Sequence, residues 1–410
     1  MTSAAARDRL RYAVAEHTRA TAAPPAPPPR EPPPIAAILR GDWHDTPHGP
    51  AFVRDDWFSL DHHHGALPLS CALEAPAAGL AHLLGATHAP HPSRLAFFDT
   101  ETTGVTGGTG TYVVLAGLGS YEDGAFRMRQ YFLADLAHER AMLATLAADL
   151  ARFEGIVTYN GRAFDLPLVD VRMTLARLRA PWAAFAHFDL LHPVRRLYRH
   201  RLPACRLADV ERRLLRIERP DDIPGSLIPS LYFDYLRAGR AAPLRAVFRH
   251  NADDVLSLVG VLAILGRLLA GGDLDPEDAA AVARWWEHAG EPARAAALYT
   301  DALPWLEGGD DWPWAAARLA ALRKRAGDRD GAAALWRALW SQGDPHAGLE
   351  LAKHFEHRAG DPRAAAEITR ALLVRASAPA RMGLEHRLAR LRRKLDAPSY
   401  PPARHSVRTG

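Results

Sequence analysis

The order of predicted strands and helices between Arg94 and Leu269 is the feature that most restricts the possible folds. Three apolar segments come first, at residues 94–98, 111–121 and 126–133. An Asp-Gly pair favours a hairpin turn between the last two segments. Apolar spacing then predicts a helix over 138–153, and residues 155–159 (GIVTY) predict a fourth strand. Strands that come first and then alternate with helices indicate an α/β domain, with helices flanking a mixed sheet.

The segments around this region differ from it in composition. Residues 20–34 are rich in proline, which fixes φ and removes an amide donor, so an extended and mobile segment is predicted there. From residue 276 onward the pattern is almost entirely helical. The predicted division is a disordered N-terminus at 1–40, an extension packed on the α/β domain at 41–93, the α/β domain at 94–272, an all-α domain at 273–395 and a disordered tail at 396–410.

One phrase recurs in the helical region, as AGEPARAAALY, AGDRDGAAALW and AGDPRAAAEIT. Its glycines, Gly290, Gly327 and Gly360, are 37 and 33 residues apart. This spacing resembles the tetratricopeptide repeat, whose stacked helix pairs form a concave surface for protein partners. The alternative is a plain helical bundle that caps the α/β domain.

The sequence argues against a secreted or membrane-spanning protein. Two cysteines, Cys71 and Cys205, are too few for a disulfide framework or a four-thiolate zinc site. The longest apolar stretch, at 255–266, is shorter than the ~20 residues that span a bilayer. The N-terminus contains no apolar core of a secretory signal. We therefore expect a cytoplasmic protein.

Positive charge is concentrated in one part of the chain. Residues 171–219 hold twelve arginines against four acidic residues, whereas the whole chain carries a formal charge of +4. A nucleic-acid backbone is the partner that such a stretch would suit. The alternative is a general bias in composition, because only three of the 51 basic residues are lysines.

Two motifs suggest a ligand but have structural explanations. His62, His63 and His64 are consecutive, and neighbouring side chains point in different directions, which favours a turn or packing role over a metal site. The glycine cluster at 107–110 lacks the Gly-Lys-Ser/Thr of a phosphate-binding loop and is predicted to form a hairpin near the site.

The first acidic motif is FFDTETTG, which follows the first predicted strand. Asp99 and Glu101 are two residues apart, so in a strand their side chains point the same way. Two close anions require a cation, and hard oxygen ligands suit Mg²⁺ or Mn²⁺.

The second acidic motif is YNGRAFD, between the fourth strand and a helix. Asp165 is predicted at the start of that helix. A structural explanation is available: Asn160 suits an Asx-Gly turn, and an N-terminal carboxylate suits the helix dipole.

The third motif is HNADD, predicted to begin a strongly apolar helix. Asp254 shares a helical face with Leu258 and Val261 and therefore points to the interior, and His250 lies one turn earlier on the same face. Packing alone explains a buried carboxylate beside an imidazole poorly, because an unpaired buried charge is costly.

Together these phrases resemble the DEDD exonuclease superfamily on the ribonuclease H-like fold. Asp99 and Glu101 match its first motif, Asp165 the second and Asp254 the third. A closer resemblance, to the YprB-like family of bacterial ribonuclease H-like proteins, covers about residues 41–270. It rests on DTETTG followed by GGTGTY, on YNGRAFDLPL, on FDLLHPVRRLYRHRL, on DDIPGSLIPSLYFDYLRAG and on HNADDVLSL.

The resemblance implies hydrolysis of phosphodiester bonds with two Mg²⁺ or Mn²⁺ ions roughly 4 Å apart. The implied metal ligands are Asp99, which bridges both ions, Glu101, Asp165 and Asp254. His250 would orient or deprotonate the attacking water. The superfamily places a histidine five residues, or a tyrosine four residues, before the last aspartate. Here a histidine stands four residues before Asp254, so the match is closer for the ligands than for the base.

The implied substrate is single-stranded DNA or RNA, cut by a 3′-to-5′ exonuclease, and the helical repeats would bind a protein partner. Residues assigned to substrate binding are Thr102, Thr103, Gly104, Asn160, Phe164, Arg195 and Arg196. The arginines could instead pair with acids of the helical domain. Two other functions stay open: a structure-specific endonuclease on the same fold, and a scaffold that binds nucleic acid without cutting it.

Overall fold

The computed structural model describes residues 35–104, 110–202, 204–272, 274 and 276–396. Its strands are β1 (Asp42–Thr46), β2 (Gly49–Ser59), β3 (His63–His64), β4 (Leu67–Pro68), β5 (Leu95–Thr102), β6 (Val113–Glu122), β7 (Ala125–Phe132), β8 (Gly155–Thr158) and β9 (Ala186–Asp189). One seven-stranded sheet has the order β1-β2-β7-β6-β5-β8-β9, and β3 pairs with β4 outside it. Because β8 runs parallel to β5 and β9 while the other pairs are antiparallel, the predicted mixed sheet is confirmed.

Helices cover both faces of the sheet. They are α1 (Ile35–Leu39), α2 (Ala77–Leu84), α3 (Glu139–Leu150), α4 (Asp165–Leu175), α5 (Leu191–Tyr198), α6 (Leu207–Val210), α7 (Ile228–Ala238) and α8 (Leu244–Ala270). Residues of α2 and α8 pack on the face that carries Phe97, and residues of α3 and α4 pack on the face that carries Phe98. This arrangement follows from the alternation of side chains along β5.

Two strands extend the sheet beyond what the apolar pattern predicts: β2, next to the edge strand β1, and β9. Strand β2 pairs with β7 and includes the polar run Arg54, Asp55 and Asp56. Cross-strand charge pairing explains this run, since Arg127 of β7 donates to Asp55 at 2.7 Å. Strand β9, at the opposite edge, is only four residues long. Polar pairing and short length both hide a strand from an analysis of apolar periodicity.

Helix α8 begins earlier than the third motif indicates. The motif was predicted to open the helix, whereas the helix begins at Leu244 and has 27 residues. Its first turns bury Val247 and Phe248 against the sheet. His250 and Asp254 therefore lie within a continuous helix, where the one-turn spacing between them is fixed.

The chain from Pro276 is helical, as predicted. Its helices are α9 (Pro276–His288), α10 (Pro292–Leu306), α11 (Trp312–Ala326), α12 (Arg329–Ser341), α13 (Pro345–His354), α14 (Pro362–Arg375) and α15 (Ala378–Asp396). Each helix packs against the next along the chain. The glycines of the recurring phrase end three of these helical segments with φ of 81°, 89° and 66°, a conformation that glycine adopts without strain. The tetratricopeptide assignment itself stays a prediction.

A single apolar cluster joins the two regions. It includes Phe97 and Val259 from the α/β region and Trp286, Tyr299 and Leu319 from the helices that follow. The first three helices of the C-terminal region therefore share a core with the sheet.

Several predictions lie outside the described residues. They are the disorder predicted over most of 1–40 and in the C-terminal tail, and the hairpin predicted for Gly107, Gly108 and Thr109. Among the residues that are described, no helix combines the length and apolar character needed to span a membrane.

Candidate functional site

Three elements bring the four predicted carboxylates to one end of the sheet. Asp99 and Glu101 lie on β5 beyond Phe97, the last residue of that strand to pair with β8. Asp165 is the first residue of α4, and Asp254 lies on α8. The carboxyl ends of parallel strands meet at one edge of a sheet, which is why segments distant in sequence converge here.

A buried amide network holds Asp99. Asn251 donates through Nδ2 to Asp99 Oδ2 at 3.0 Å. Gln130 in turn donates through Nε2 to Asn251 Oδ1 at 3.0 Å, and both amide residues are fully buried. A Cβ on Gly117, the partner of Asp99 across the sheet, would lie 2.3 Å from Asn251 Oδ1. Glycine therefore leaves the space that the amide occupies.

Asp165 is held by β5 and by its own loop. Thr100 donates to Asp165 Oδ1 from both its hydroxyl, at 2.5 Å, and its backbone amide, at 3.2 Å. The loop before Asp165 is tied by Asp189, which accepts from the backbone amides of Asn160 at 2.8 Å and Arg162 at 3.1 Å. Asn160 has φ of 65°, in agreement with the predicted turn.

An imidazole faces the carboxylates and is oriented from behind. His250 donates through Nδ1 to the carboxylate of Asp222, at 2.8 Å. Its Nε2 lies 3.8 Å from Glu101 Oε1 and 3.8 Å from Asp254 Oδ2. Burial lowers the pKa of His250, but the carboxylates of Asp254, Glu101 and Asp222 outweigh burial and leave the pKa raised. Nε2 therefore faces the carboxylates and can bind or release a proton there.

Arg219 forms the edge of the site. It donates through Nη1 to Asp254 Oδ1 at 2.6 Å and through Nη2 to Glu211. Ser257 donates to Glu211 Oε1 at 2.6 Å. Burial raises the pKa of Glu211 to about 6 although Arg219 opposes this effect. Arg219 therefore compensates two carboxylates at once.

The remaining carboxylates lack comparable compensation. Burial raises the pKa of Asp99 well above its ordinary value, and Asp254, Asp165 and Glu101 raise it further. Burial raises the pKa of Glu101 to about 8 against the opposing effect of His250. Burial also raises the pKa of Asp165 to about 6. These shifts indicate a cluster whose negative charge exceeds the positive charge around it.

The oxygen atoms of this cluster are of the chemical type that divalent cations bind. Carboxylate oxygens are the ligands that Mg²⁺ and Mn²⁺ prefer, and a cation would stabilise the charged forms that burial and neighbouring carboxylates disfavour. In the part of the chain that is described, however, no three carboxylate, imidazole or thiol groups converge closely enough to enclose a metal ion. The arrangement thus has the chemistry of a cation site without a closed coordination shell.

The residues predicted to bind substrate lie on two sides of the cluster. Thr102 and Thr103 stabilise the turn after β5: Thr102 donates to the carbonyl of Gly104 at 2.8 Å, and Thr103 accepts from the amide of Tyr112 at 2.9 Å. Phe164, next to Asp165, is 59% exposed, which is high for a phenylalanine.

The predicted arginines behave in two ways. Arg195 and Arg196 lie exposed on α5, and Arg196 stacks over Trp285 at 4.7 Å from the ring centroid. Arg201 instead faces Asp278 of the helical region at 3.2 Å. The alternative of pairing with helical-domain acids therefore applies to Arg201.

Sequence reasoning missed the polar residues that support the cluster. Asn251, Asp222 and Arg219 contact the predicted residues directly, yet only the first two fall in phrases that were singled out. A fully buried asparagine on an apolar helix is a signal that could have been used, because a buried amide requires partners. Arg219 gives no such signal, since it is one of many arginines in its segment.

The three consecutive histidines have three different partners. The ring of His62 packs on Phe58, His63 contacts the carbonyl oxygen of Asp61 at 2.9 Å, and His64 contacts the hydroxyl of Ser257 at 2.8 Å. This divergence agrees with a turn and packing role.

The fold and the site define a class: an α/β protein of ribonuclease H type, with acidic residues gathered at the carboxyl end of strand β5. The model of the RNase_H superfamily matches residues 96–265, from β5 into α8. The protein YprB of Bacillus subtilis (strain 168), whose name describes it as uncharacterized, is 32% identical over 357 residues, which cover 83% of this chain and 86% of that protein. The chain therefore belongs to the YprB family and contains an RNase_H superfamily domain. The DEDD branch stays a prediction.

Proposed function

We propose that this protein is a metal-dependent nuclease that hydrolyses phosphodiester bonds of single-stranded DNA or RNA, acting as a 3′-to-5′ exonuclease. The observation that carries the proposal is the gathering of Asp99, Glu101, Asp165 and Asp254 beside His250. Packing does not account for it, because partial burial raises the pKa values of Asp99, Glu101 and Asp165, neighbouring carboxylates raise that of Asp99 further, and both effects cost stability.

The side chains suit distinct parts of the reaction. When bound by the four carboxylates, Mg²⁺ or Mn²⁺ would neutralise their charge and polarise the scissile phosphate. His250 would accept a proton from water through Nε2, while Asp222 holds the ring through Nδ1. Phe164 offers an exposed ring for a terminal base, and Arg195 and Arg196 offer charge for the phosphates behind it.

The contact between Arg219 and Asp254 has a consequence for cation binding. One oxygen of Asp254 already has a positive partner at 2.6 Å. The other oxygen, Oδ2, is the one on the His250 side. The most negative part of the cluster is therefore at Asp99 and Glu101, and we expect the first cation to bind there.

The test compares the parent with Asp99→Asn on 5′- and 3′-labelled single-stranded oligonucleotides. With Mn²⁺, the parent should release mononucleotides from the 3′ end, chelation should stop the reaction, and the variant should be slower by roughly 10²–10³-fold. Asp170→Asn is the matched control, because Asp170 is an exposed aspartate on α4.

The products and the variant separate the other functions. A single internal product would indicate an endonuclease. Equal inactivity of the parent and Asp99→Asn on every DNA and RNA, with binding retained, would replace the nuclease by a scaffold. Mn²⁺ should also raise the melting temperature of the parent more than that of Asp99→Asn, which tests the cation site without relying on activity.

A further inference from the structure

A cavity of about 560 Å³ lies where the α/β region meets the helical region. Arg195 and Arg196 of α5 and Arg199, directly after it, line one side, and Arg284 of α9 and Trp314 of α11 line the other. The cavity therefore presents four guanidinium groups and an indole ring, contributed by both regions of the chain.

No acidic partner of these guanidinium groups is found in the ranges that the structure describes. Among the described residues, none of the four arginines has a carboxylate within salt-bridge distance, although Asp311 lies on the cavity rim. Arg196 and Arg284 are close enough to repel each other: burial lowers the pKa of Arg196, and Arg284 lowers it further. Facing cations of this kind gain stability from an anion placed between them.

Two residues that follow these arginines in the sequence, His200 and Arg201, do face an acidic residue. His200 and Arg201 face Asp278 at 3.4 Å and 3.2 Å, so charges from α9 are used there to join the two regions. Arg196 and Arg284 instead stack over Trp285 and Trp314, and within the described part of the chain no carboxylate lies within salt-bridge distance of their guanidinium groups. Arginines in this state suit a bound phosphate.

A second cavity shares lining residues with this one and reaches the loop that precedes Asp165. This smaller cavity, of about 270 Å³, shares His192 and Arg196 with the first and is also lined by Arg162 and Asp189. Asp189 holds the loop that leads to Asp165. A strand whose end lies at the cluster would pass these residues on its way to the junction.

We propose that this junction cavity is a second nucleic-acid subsite, in which the helical region binds backbone phosphates of the single strand whose end lies at the carboxylate cluster. The proposal rests on the proposed function. Arg284 supplies charge from the helical region, and Trp314, 38% exposed, supplies a ring on which a base can stack. An acidic peptide would use the charges but not the ring or the neighbouring cavity that reaches the loop before Asp165.

The experiment measures binding without cleavage. Fluorescence anisotropy in EDTA should give the affinity of a labelled 20-nucleotide single strand at several salt concentrations. Arg284→Gln should weaken binding by roughly 5–10-fold and reduce the salt slope by about one unit. Arg363→Gln is the matched control, since Arg363 is an exposed arginine of α14 that does not line the cavity. Both variants should melt at the temperature of the parent, because both side chains are exposed.

The outcomes separate this subsite from the nuclease itself. If Arg284→Gln weakens binding of the long strand but hydrolyses a p-nitrophenyl ester of thymidine 5′-phosphate at the parental rate with Mn²⁺, both proposals are supported. If binding depends on Arg284 but no substrate is cut, the subsite stands and the nuclease fails. Equal affinity of Arg284→Gln and Arg363→Gln would overturn the subsite. Displacement of the strand by polyglutamate at equal charge concentration would also overturn it.

Discussion

At the scale of single residues, Arg219 is where charge compensation matters most. Its partner Glu211 is buried, with a side chain only 3% exposed, and Ser257 is its other close partner. In metal-free buffer at neutral pH, Arg219→Met should lower the free energy of unfolding by about 3–5 kcal/mol, because removing one member of a buried ion pair leaves the other uncompensated. Urea denaturation measures this change.

Two further variants test the explanation for Arg219. Arg212→Met should change stability by no more than about 0.5 kcal/mol, since the Arg212 side chain is 66% exposed and lies 3.9 Å from Asp209. Adding Glu211→Gln to Arg219→Met should recover part of the loss. A double variant as unstable as Arg219→Met alone would contradict the charge explanation.

His64 provides a residue-scale test in the pH dependence of stability. Burial lowers the pKa of its imidazole to about 4, and Arg219 and His62 lower it further. Between pH 4 and 6.5 the unfolded chain therefore binds a proton that the folded protein does not, and this group's contribution to stability rises with pH.

The prediction for His64 concerns a difference between two proteins, so that titrations elsewhere cancel. The stability of the parent relative to His64→Gln should rise by up to about 3 kcal/mol from pH 4 to pH 7. His63→Gln is the control, because the His63 side chain is exposed and its ring contacts the carbonyl oxygen of Asp61. A constant difference across this range would show that His64 does not titrate as its burial requires.

Some residues of the candidate site can be identified from the sequence, and others cannot. Asp99, Glu101, Asp165 and Asp254 can be found because acidic residues at strand ends and on an apolar helix conflict with burial. Their supporting partners cannot be found in this way, because Asp222 and Gln130 acquire their roles only when β7, α8 and the segment before α7 pack together.

At the scale of elements, the contact between β6 and α8 positions Asp99. A Cβ on Gly117 would lie 2.3 Å from Asn251 Oδ1 and 2.9 Å from Met128 Cε, closer than such atoms approach. Gly117→Ala should therefore displace Asn251 and destabilise the protein by about 1–3 kcal/mol. Chemical denaturation gives the change. Gly225→Ala is the control, as its added methyl group would meet nothing within 4 Å. Equal effects of the two changes would contradict the close-approach explanation.

The elements themselves were predictable where periodicity was strong. The strands β5, β6, β7 and β8 and the helix α3 were expected from apolar spacing and were found within a few residues. Apolar periodicity does not predict strand β2, because Asp55 and Asp56 interrupt it. The early start of α8 is not predicted either, because arginines lie on both sides of Val247 and Phe248. Tertiary pairing of charges, which local pattern does not contain, accounts for β2.

At the scale of the whole molecule, the helical region stabilises the sheet domain as well as extending it. Trp286 of α9 is buried against His82 of α2, with ring centroids 4.4 Å apart, and Arg294 lies over its other face at 3.7 Å. Arg294 also donates to the carbonyl of Leu269, at the end of α8. Removing α9 and α10 would expose this apolar surface of α2 and α8.

The final prediction follows from that shared core. A chain ending at Gly272 should lose cooperative thermal unfolding or melt far below the parent, because Trp286 and Tyr299 belong to the cluster that contains Val259. A chain that ends at Ala359 and carries Glu356→Gln should keep cooperative unfolding and melt closer to the parent than the chain ending at Gly272. The added change is needed because Arg387, Arg390 and Lys394 of α15 compensate the buried Glu356 carboxylate. This chain loses α14 and α15, whose described apolar cluster is small, with Ala365, Ala366, Leu388 and Leu391 buried and Phe355 and Leu373 packed against them. Thermal melts followed by near-ultraviolet circular dichroism compare the three chains. If the chain ending at Gly272 melted like the parent, the two regions would be independent domains, and the junction cavity would lie between separate units rather than within one core.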